Sequence, residues 1–341
     1  MDDLHRWFSI TIPYPNNQAV KTMNGVILDC DSLGPDSLDL SPLHNLPINW
    51  TLYPDCSDQQ VAERITDADI VLTNKAMVSA LAINQAPRLK LIALMATGTN
   101  QVDLEAARLQ DVVVSNAIGY GTGSVVQHCW ALILALTTKL ASYHETAVGG
   151  RWQESRFFCS MDFPVRELSG KIMGIVGAGE LGMGVAKIAE AFGMQVIFAG
   201  LPGRAHSAGV ERVAFDTFLA RADVISIHCP LTAETTDLIG EAQFALMKNS
   251  TIIINSARGG IVNEAALKQA LIAGDIAGAA TDVLTVEPPV DGNMLLDQSI
   301  PNLIVTPHCA WVAQEARQTL INQLADNIAG FLVGKPRNQV S

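Results

Sequence analysis

The sequence predicts an α/β protein of two domains, each built on a parallel sheet covered by helices. Three observations predict this class. The chain has 341 residues, enough for two domains at roughly 100–200 residues each. Short β-branched runs alternate with helix-like segments along the whole chain, as in parallel sheets. A glycine-rich turn, Gly177-x-Gly179-x-x-Gly182, stands between a strand-like and a helix-like run.

The first half of the chain contains four predicted strands with helical patterns between them. The strands are Gly25–Leu28, Asp69–Leu72, Lys90–Met95 and Val112–Ser115, and the helices are Asp58–Ile65, Met77–Ile83 and Val102–Leu109. Residues 1–22 begin with two acids and hold no long apolar run. We therefore expect them to be an N-terminal extension and not a secretory signal.

The second part of the chain contains six predicted strands, which with crossover helices make a full doubly wound sheet. The strands are Lys171–Val176, Gln195–Phe198, Asp223–His228, Thr251–Asn255, Ala277–Asp282 and Leu303–Thr306. The helices are Leu181–Phe192, Asp216–Arg221, Glu241–Met247 and Asn263–Ala273.

Two turn-rich points mark the expected domain boundaries. Gly119–Gly123 precedes a long apolar helix at Ser124–Leu140, and Thr306–Pro307 precedes an amphipathic helix at Gln314–Leu332. We expect the last helix to return to the first domain. The first domain is then discontinuous (residues 23–120 and 308–341), and the second (residues 121–307) is inserted into it.

Composition excludes several classes of protein. Lys plus Arg number 22 and Asp plus Glu number 34, giving a formal charge of −12, which disfavours nucleic acid and anionic membranes as partners. The sequence contains no run of about 18 apolar residues, which is the length that would predict a membrane span. The six cysteines form no CxxC pair, so we expect no metal site and reduced thiols in a cytoplasmic protein.

The glycine-rich turn predicts a dinucleotide-binding site. Gly177 permits the tight turn, Gly179 lets backbone N–H groups approach a pyrophosphate, and Gly182 allows helix and strand to pack closely. The anion then lies at a helix N-terminus, where unpaired N–H groups and the helix dipole favour negative charge.

The acid that usually follows such a turn by about 20 residues is absent. That position holds a Pro-Gly turn followed by Arg204. Two interpretations stay open. In the first, Arg204 binds a ribose 2′-phosphate, so that NADPH is admitted or preferred. In the second, the turn is solvated and NADH binds through backbone groups.

Three ionisable residues follow predicted strands, where an open α/β sheet binds its ligands. They are Arg258, Glu287 and His308. Each suits one role in reducing a 2-keto acid. Arginine holds a carboxylate with two parallel contacts. Histidine gives a proton to the carbonyl oxygen, and a glutamate bonded to its other nitrogen favours the protonated ring and fixes its orientation.

Five segments in order resemble the D-isomer-specific 2-hydroxyacid dehydrogenases. They read GAGELGMGVA (177–186), HCPLT (228–232), NSARGGIVNEAAL (255–267), AATDVLTVEPP (279–289) and TPHCAW (306–311). The resemblance covers the chain from about residue 23 to about residue 340. Within the family it is strongest to bacterial glycerate dehydrogenases (hydroxypyruvate reductases), through segments 28–43, 73–78, 190–204 and 286–296.

The resemblance implies a role for each matching residue. It implies a flavodoxin-like substrate domain and an inserted Rossmann domain for NAD(H) or NADP(H). Arg258 matches the arginine that orients the substrate, Glu287 the partner of the catalytic histidine, and His308 the general acid/base. The implied cofactor contacts, with the glycines and Arg204, are Glu180, Leu181, Pro230, Ala257 and Asp282. The implied substrate contacts are Lys75, Thr97 and Gly98.

The resemblance also implies the reaction and the assembly. We expect a reversible reduction of hydroxypyruvate to D-glycerate, with glyoxylate as a second substrate, in a homodimer. The apolar helix at 124–140 and the aromatic segment at 152–163 are the expected interface. His128, on that helix, is expected to be structural. Two alternatives stay open: a dehydrogenase for D-lactate or a phosphorylated hydroxy acid, and a non-enzymatic dinucleotide-sensing protein.

Overall fold

The computed structural model of the protein describes residues 10–12, 22–201 and 210–341. Contacts within the chain define two compact units. Unit 1 comprises Met1–Gly121 and Val312–Ser341, and unit 2 comprises Thr122–Trp311. The chain leaves unit 2 after residue 311, later than the predicted 307, because the backbone N–H groups of Cys309 and Ala310 bind the Asp282 carboxylate in unit 2. His308 therefore belongs to unit 2 and not to the discontinuous domain.

Unit 1 is built on one six-stranded sheet. Its strands are β1 (Ile10–Ile12), β2 (Met23–Ile27), β3 (Ile48–Leu52), β4 (Ile70–Thr73), β5 (Leu91–Leu94) and β6 (Val113–Ser115), in the order β1-β3-β2-β4-β5-β6. All neighbours are parallel except β1 and β3. Strand β1 lies within residues 1–22, the predicted N-terminal extension, and it extends the edge of the sheet through antiparallel pairing with β3.

The helices of unit 1 connect these parallel strands. They are α1 (Ser41–His44), α2 (Asp58–Ile65), α3 (Ala80–Asn84) and α4 (Leu104–Leu109). Side chains fix where two of them begin. Ser79 accepts from Ala82 N, so α3 begins later than predicted, and the Asp103 carboxylate accepts from Ala106 N at 2.9 Å to cap α4.

Unit 2 is built on a seven-stranded, all-parallel sheet. Its strands are β7 (Ile172–Val176), β8 (Gln195–Gly200), β9 (Arg212–Ala214), β10 (Val224–Ile227), β11 (Ile252–Asn255), β12 (Gly278–Thr281) and β13 (Leu303–Val305). The order is β13-β12-β11-β10-β7-β8-β9. The order reverses between β7 and β10, which is the arrangement of a Rossmann fold and confirms the predicted class.

Helices cover both faces of this sheet. They are α5 (Thr122–Thr138), α6 (Leu140–Val148), α7 (Glu180–Ala191), α8 (Phe215–Arg221), α9 (Glu241–Phe244) and α10 (Glu264–Ala273). Trp130 and Ile133 of α5 pack on one face, and Phe218 and Leu219 of α8 pack on the other. The helix predicted to run to residue 140 ends two residues earlier, because Lys139 takes a left-handed conformation with φ of 55°.

The last helix, α11 (Gln314–Leu332), has the predicted bounds and belongs to unit 1. It lies against α1. Arg317 donates to the carbonyl oxygens of Leu33 (2.6 Å) and Gly34 (2.9 Å). Over the described ranges, no single helix is long and apolar enough to cross a membrane; α5 and α6 pass that test only as a pair, bent by 58°.

Candidate active site

The carboxyl ends of β13, β12, β11, β10 and β7 lie side by side along one edge of the unit 2 sheet. The loops that follow these strands therefore share an edge. His308 follows β13, Glu287 follows β12 and Arg258 follows β11, so the three predicted catalytic residues come from three neighbouring strands. The glycine-rich turn follows β7 along the same edge.

His308 and Glu287 are in direct contact. His308 Nδ1 lies 2.6 Å from Glu287 Oε2, and each side chain is about 30% exposed (29% and 30%). The other carboxylate oxygen accepts the backbone N–H of Leu284 at 2.7 Å, which fixes the carboxylate. Because a carboxylate accepts, Nδ1 carries the hydrogen, and Nε2 is the ring nitrogen left for a ligand.

The backbone of His308 is strained. Its φ is +51°, a left-handed conformation that residues with a side chain adopt at a cost on the order of 1 kcal/mol. Its N–H donates to the carbonyl oxygen of Asp282 at 2.8 Å. Such a conformation persists only where surrounding contacts determine it.

The buried carboxylate of Asp282 organises this loop. It is 1% exposed and accepts the backbone N–H groups of Cys309 and Ala310, each at 2.9 Å. It also accepts the hydroxyl of Thr306 at 2.6 Å. Asp282 was predicted to contact the cofactor. In the structure its carboxylate holds the 306–310 loop, and a cofactor contact stays a prediction.

Arg258 is exposed on the loop after β11. Its Nη1 donates to the carbonyl oxygen of Ala257 at 2.7 Å, and Asn255 Nδ2 donates to the Arg258 carbonyl at 2.9 Å. The next residue, Gly259, lies so close to the carbonyl of Leu284 that a Cβ there would overlap it. The arginine loop is thus packed directly against the loop that carries Glu287.

Each glycine of the turn after β7 has its own structural reason. Gly177 has φ of +102°, and a Cβ there would lie 2.7 Å from the His228 carbonyl. A Cβ on Gly182 would overlap the carbonyl oxygen of Gly177. At Gly179 a Cβ would meet no described atom within 4 Å, so this position faces open space at the start of α7. This open approach to a helix N-terminus fits a pyrophosphate.

The other predicted cofactor contacts lie at the same edge of unit 2, except Arg204, which lies outside the described residues. Glu180 is exposed and accepts the Thr122 hydroxyl at 2.7 Å, and Leu181 is half-buried. Pro230 is exposed after β10, and Ala257 is 8% exposed. Their contacts with a cofactor stay predictions.

His228, which follows β10, is neutral. Its Nε2 lies 2.8 Å from Ser226 Oγ, and its Nδ1 is shielded from solvent with no hydrogen-bond partner in the described part of the chain. Burial lowers the pKa of His228 to about 4, because a charged ring there would lose its hydration. The peptide between His228 and Cys229 lies against Gly177.

Unit 1 carries the three predicted substrate residues. The Thr97 hydroxyl donates to the Ala117 carbonyl at 2.7 Å, next to Gly98. Lys75 is exposed, and its backbone N–H donates to the Asp29 carboxylate at 2.6 Å. That carboxylate also accepts from Asn74 N and Ala76 N. Two loops of unit 1 are therefore rigidly held, and their substrate role stays a prediction.

One cluster was not anticipated. His128, Asp282 and Cys309 place potential metal-ligand atoms within 4.8 Å of one another. His128 Nε2 lies 3.0 Å from Thr306 Oγ1 and 3.5 Å from Asp282 Oδ1. The Asp282 oxygens already accept hydrogen bonds from their own loop, so the cluster is satisfied as a hydrogen-bonded network. The sequence feature that could have indicated this cluster is His128, a polar residue on an otherwise apolar helix.

Comparison with known proteins places this geometry in a family. The family described as "D-isomer specific 2-hydroxyacid dehydrogenase, NAD binding domain" matches residues 130–310. The chain is 42% identical over 321 residues to a glycerate dehydrogenase of Methylorubrum extorquens, covering 94% of this chain and 99% of the relative. It is 36% identical over 324 residues to a hydroxypyruvate reductase of Blautia hydrogenotrophica, covering 94% and 100%.

A solved structure shares the fold. An acyclic imino acid reductase in complex with NADPH and D-Arg superposes with a TM-score of 0.82 at 27% identity, covering 94% of this chain and all of that one. The family match, the relatives and the strand-end site agree: the chain belongs to the D-isomer-specific 2-hydroxyacid dehydrogenases, with a nicotinamide-dinucleotide-binding Rossmann domain in unit 2.

Proposed function

We propose that the protein reduces a small 2-keto acid to the D-2-hydroxy acid, with hydroxypyruvate as substrate and D-glycerate as product, in a reversible reaction. The observation that carries this proposal is the 2.6 Å contact between His308 and Glu287, beside the Arg258 loop on neighbouring strand ends. The names of the two relatives, glycerate dehydrogenase and hydroxypyruvate reductase, support the same substrate. Glyoxylate, which has the same carboxylate and carbonyl, is a second substrate.

The protein's own residues bind the substrate and supply the proton. A bound reduced nicotinamide supplies a hydride to the carbonyl carbon. His308 Nε2 gives a proton to the carbonyl oxygen, while Glu287 keeps the ring oriented through Nδ1. Arg258 pairs with the substrate carboxylate through its planar guanidinium. Lys75, Thr97 and Gly98 of unit 1 contribute to substrate binding in this proposal.

The cofactor would be held by the turn after β7. The Gly177–Gly182 turn and the first residues of α7 receive the pyrophosphate, and Pro230, Ala257 and Asp282 line the same edge of the sheet. No acid occupies the stretch from Gln195 to Val210, so nothing there repels a 2′-phosphate. Both NADH and NADPH are therefore accepted.

Arg204 strengthens the binding of NADPH in this proposal. Arg204→Ala is expected to raise the KM for NADPH about tenfold and to leave the KM for NADH unchanged, since only the phosphate needs the guanidinium. Steady-state rates with each cofactor measure this. An equal effect on both cofactors would refute a 2′-phosphate contact.

We also propose a homodimer that covers the segment between α6 and β7. Large apolar side chains are exposed there: Trp152 (52%), Phe157 (68%), Phe158 (92%), Met161 (83%) and Val165 (55%). Exposed apolar area of this extent marks a contact surface. Phe158→Asp should yield monomers in sedimentation velocity; a wild-type monomer at micromolar concentration would contradict the proposal.

A cytoplasmic location is proposed from the thiols. All six cysteines are described, and none of them forms a disulfide. Cysteines without disulfides are typical of a reducing compartment.

Initial rates test the function as a whole. Hydroxypyruvate, glyoxylate and pyruvate are each assayed against NADH and NADPH, and hydroxypyruvate is expected to give the highest kcat/KM. Fastest turnover with pyruvate would point to a D-lactate dehydrogenase. No dinucleotide oxidation with any of the three would point instead to a dinucleotide-sensing protein.

A further inference from the structure

The N-terminal half of α5 faces the loop that carries His308. Ser124 and His128 are four residues apart, so they lie on the same side of the helix. Ser124 Oγ donates to the Ala310 carbonyl at 2.6 Å, and His128 Nε2 lies 3.0 Å from Thr306 Oγ1. The two helix side chains therefore bind the loop at both of its ends.

The direction of each hydrogen bond in this network can be assigned. The Asp282 carboxylate accepts two backbone N–H groups, so it is the acceptor for the Thr306 hydroxyl at 2.6 Å. Thr306 has then used its hydrogen, and its oxygen accepts from His128 Nε2–H. A directed chain of hydrogen bonds therefore runs from His128 on α5 through Thr306 to the Asp282 carboxylate, which binds the loop.

This chain supports a backbone conformation that His308 would not adopt by itself. With φ of +51°, His308 needs contacts on both sides to stay in place. The contacts come from the Asp282 carbonyl, the Asp282 carboxylate and Ser124. His128 and Thr306 orient that carboxylate through their side chains. The backbone carbonyl of Thr306 also accepts the His308 N–H at 3.0 Å.

We propose that Ser124, His128 and Thr306, together the α5 clamp, are positioning residues that set the direction in which His308 presents Nε2. The proposal rests on the proposed function, since it takes His308 as the proton donor. The α5 clamp also joins the first helical turn of unit 2 to the last residues of the same unit. Sub-ångström placement of a proton donor affects turnover far more than it affects ligand binding.

The test compares two substitutions at one position. Thr306→Val removes the hydroxyl but keeps the shape, and it is expected to lower kcat at least tenfold. Thr306→Ser restores the hydroxyl and is expected to stay within about threefold of the wild type. The Kd of NADH, measured by fluorescence titration, and the KM of hydroxypyruvate should change by less than about threefold in both. Thr138→Val, on the exposed end of α5, is the matched control.

A double-mutant cycle tests whether the groups act in series. His128→Leu should lower kcat about as much as Thr306→Val, and the double variant should be no slower than Thr306→Val alone. Ser124→Ala, at the other end of the loop, should lower kcat independently. Multiplicative losses for His128 and Thr306 would overturn the directed chain.

The outcomes separate this inference from the proposed function. If His308→Ala abolishes turnover but Thr306→Val and Thr306→Ser are equally active, the α5 clamp is wrong and the function stands. If His308→Ala keeps its turnover, the function itself fails. If less of the Thr306→Val variant folds, but the molecules that bind dinucleotide have the kcat of the wild type, the α5 clamp has a purely structural role. That result would overturn the inference.

Discussion

Glu287 accepts the Nδ1 hydrogen of His308 across 2.6 Å, and the backbone N–H of Leu284 holds the same carboxylate from the other side. The imidazole therefore has one fixed edge and one edge that can exchange a proton. A ring held in this way has a single orientation relative to the strand ends. The two contacts of the Glu287 carboxylate fix the ring edge that carries Nδ1 and leave Nε2 for proton exchange.

Glu287→Gln tests that arrangement. Glutamine keeps the shape but not the charge, so we expect kcat to fall about 10- to 100-fold, with NADH affinity unchanged. Steady-state kinetics and fluorescence titration measure the two quantities. Glu190→Gln, on the exposed surface of α7, is the control and should match the wild type. An active Glu287→Gln enzyme would show that the negative charge of Glu287 is not needed for proton transfer by His308.

Arg258→Lys separates charge from geometry. Lysine keeps the positive charge but cannot make two parallel contacts with a carboxylate. We expect the KM of hydroxypyruvate to rise at least tenfold, and Arg258→Ala to be worse still. Arg221→Ala, an exposed arginine at the end of α8, serves as the control. Unchanged KM in Arg258→Lys would remove the guanidinium from substrate binding.

Gly179→Ala should impair binding without impairing folding. A Cβ at residue 179 meets no described atom within 4 Å, so thermal stability should stay within about 0.5 kcal/mol of the wild type. The same methyl group stands where a pyrophosphate must approach the backbone, and the Kd of NADH should rise at least tenfold. Gly177→Ala should instead destabilise the protein, because its φ is +102°. Normal NADH binding by Gly179→Ala would place the phosphates elsewhere.

His228 predicts an acid-sensitive contribution to stability. Its pKa is about 4 in the folded protein and near 6.5 when exposed, so between these values the unfolded chain binds a proton that the folded chain does not. The folded state therefore loses stability as pH falls from 6.5 towards 4. The unfolding free energy of the wild type should fall between pH 7 and 4.5. In His228→Asn that fall should be smaller by on the order of 2–3 kcal/mol. Urea unfolding at both pH values measures it; parallel losses in variant and wild type would contradict the assignment.

Long periodic elements and the glycine-rich turn were predictable from the sequence. Helices Asp58–Ile65 and Gln314–Leu332 have the predicted bounds, since their apolar spacing and end residues are local signals. The sheet of unit 2 follows from strands that are mostly apolar and buried on both faces.

Three short strands, β1, β3 and β9, were not predictable from the sequence. Strand β3 lies between Pro47 and Pro54 and mixes Asn49 and Thr51 with apolar residues, so only its pairing with β2 makes it a strand. Strands β1 and β9 have three residues each and gain their structure from a single neighbour. Such elements depend on tertiary pairing, which local pattern does not contain.

The candidate site was predictable by residue type but not by its supports. Arg258, Glu287 and His308 stand out because polar residues at strand ends are conspicuous. Thr306 and His128 support the His308 loop because three segments of the chain meet at Asp282. The positions of these residues in the sequence do not indicate that the segments meet. His128 was expected to be structural, and in the structure it bonds Thr306, in the loop that carries His308.

His308→Ala tests the central claim most directly. Stopped-flow turnover of hydroxypyruvate and fluorescence titration with NADH are measured on the same preparation. The account predicts that turnover falls about 100-fold or more while the Kd of NADH stays within about twofold of the wild type. Wild-type turnover by His308→Ala, in protein that binds NADH normally, would contradict the assignment of His308 as the proton donor.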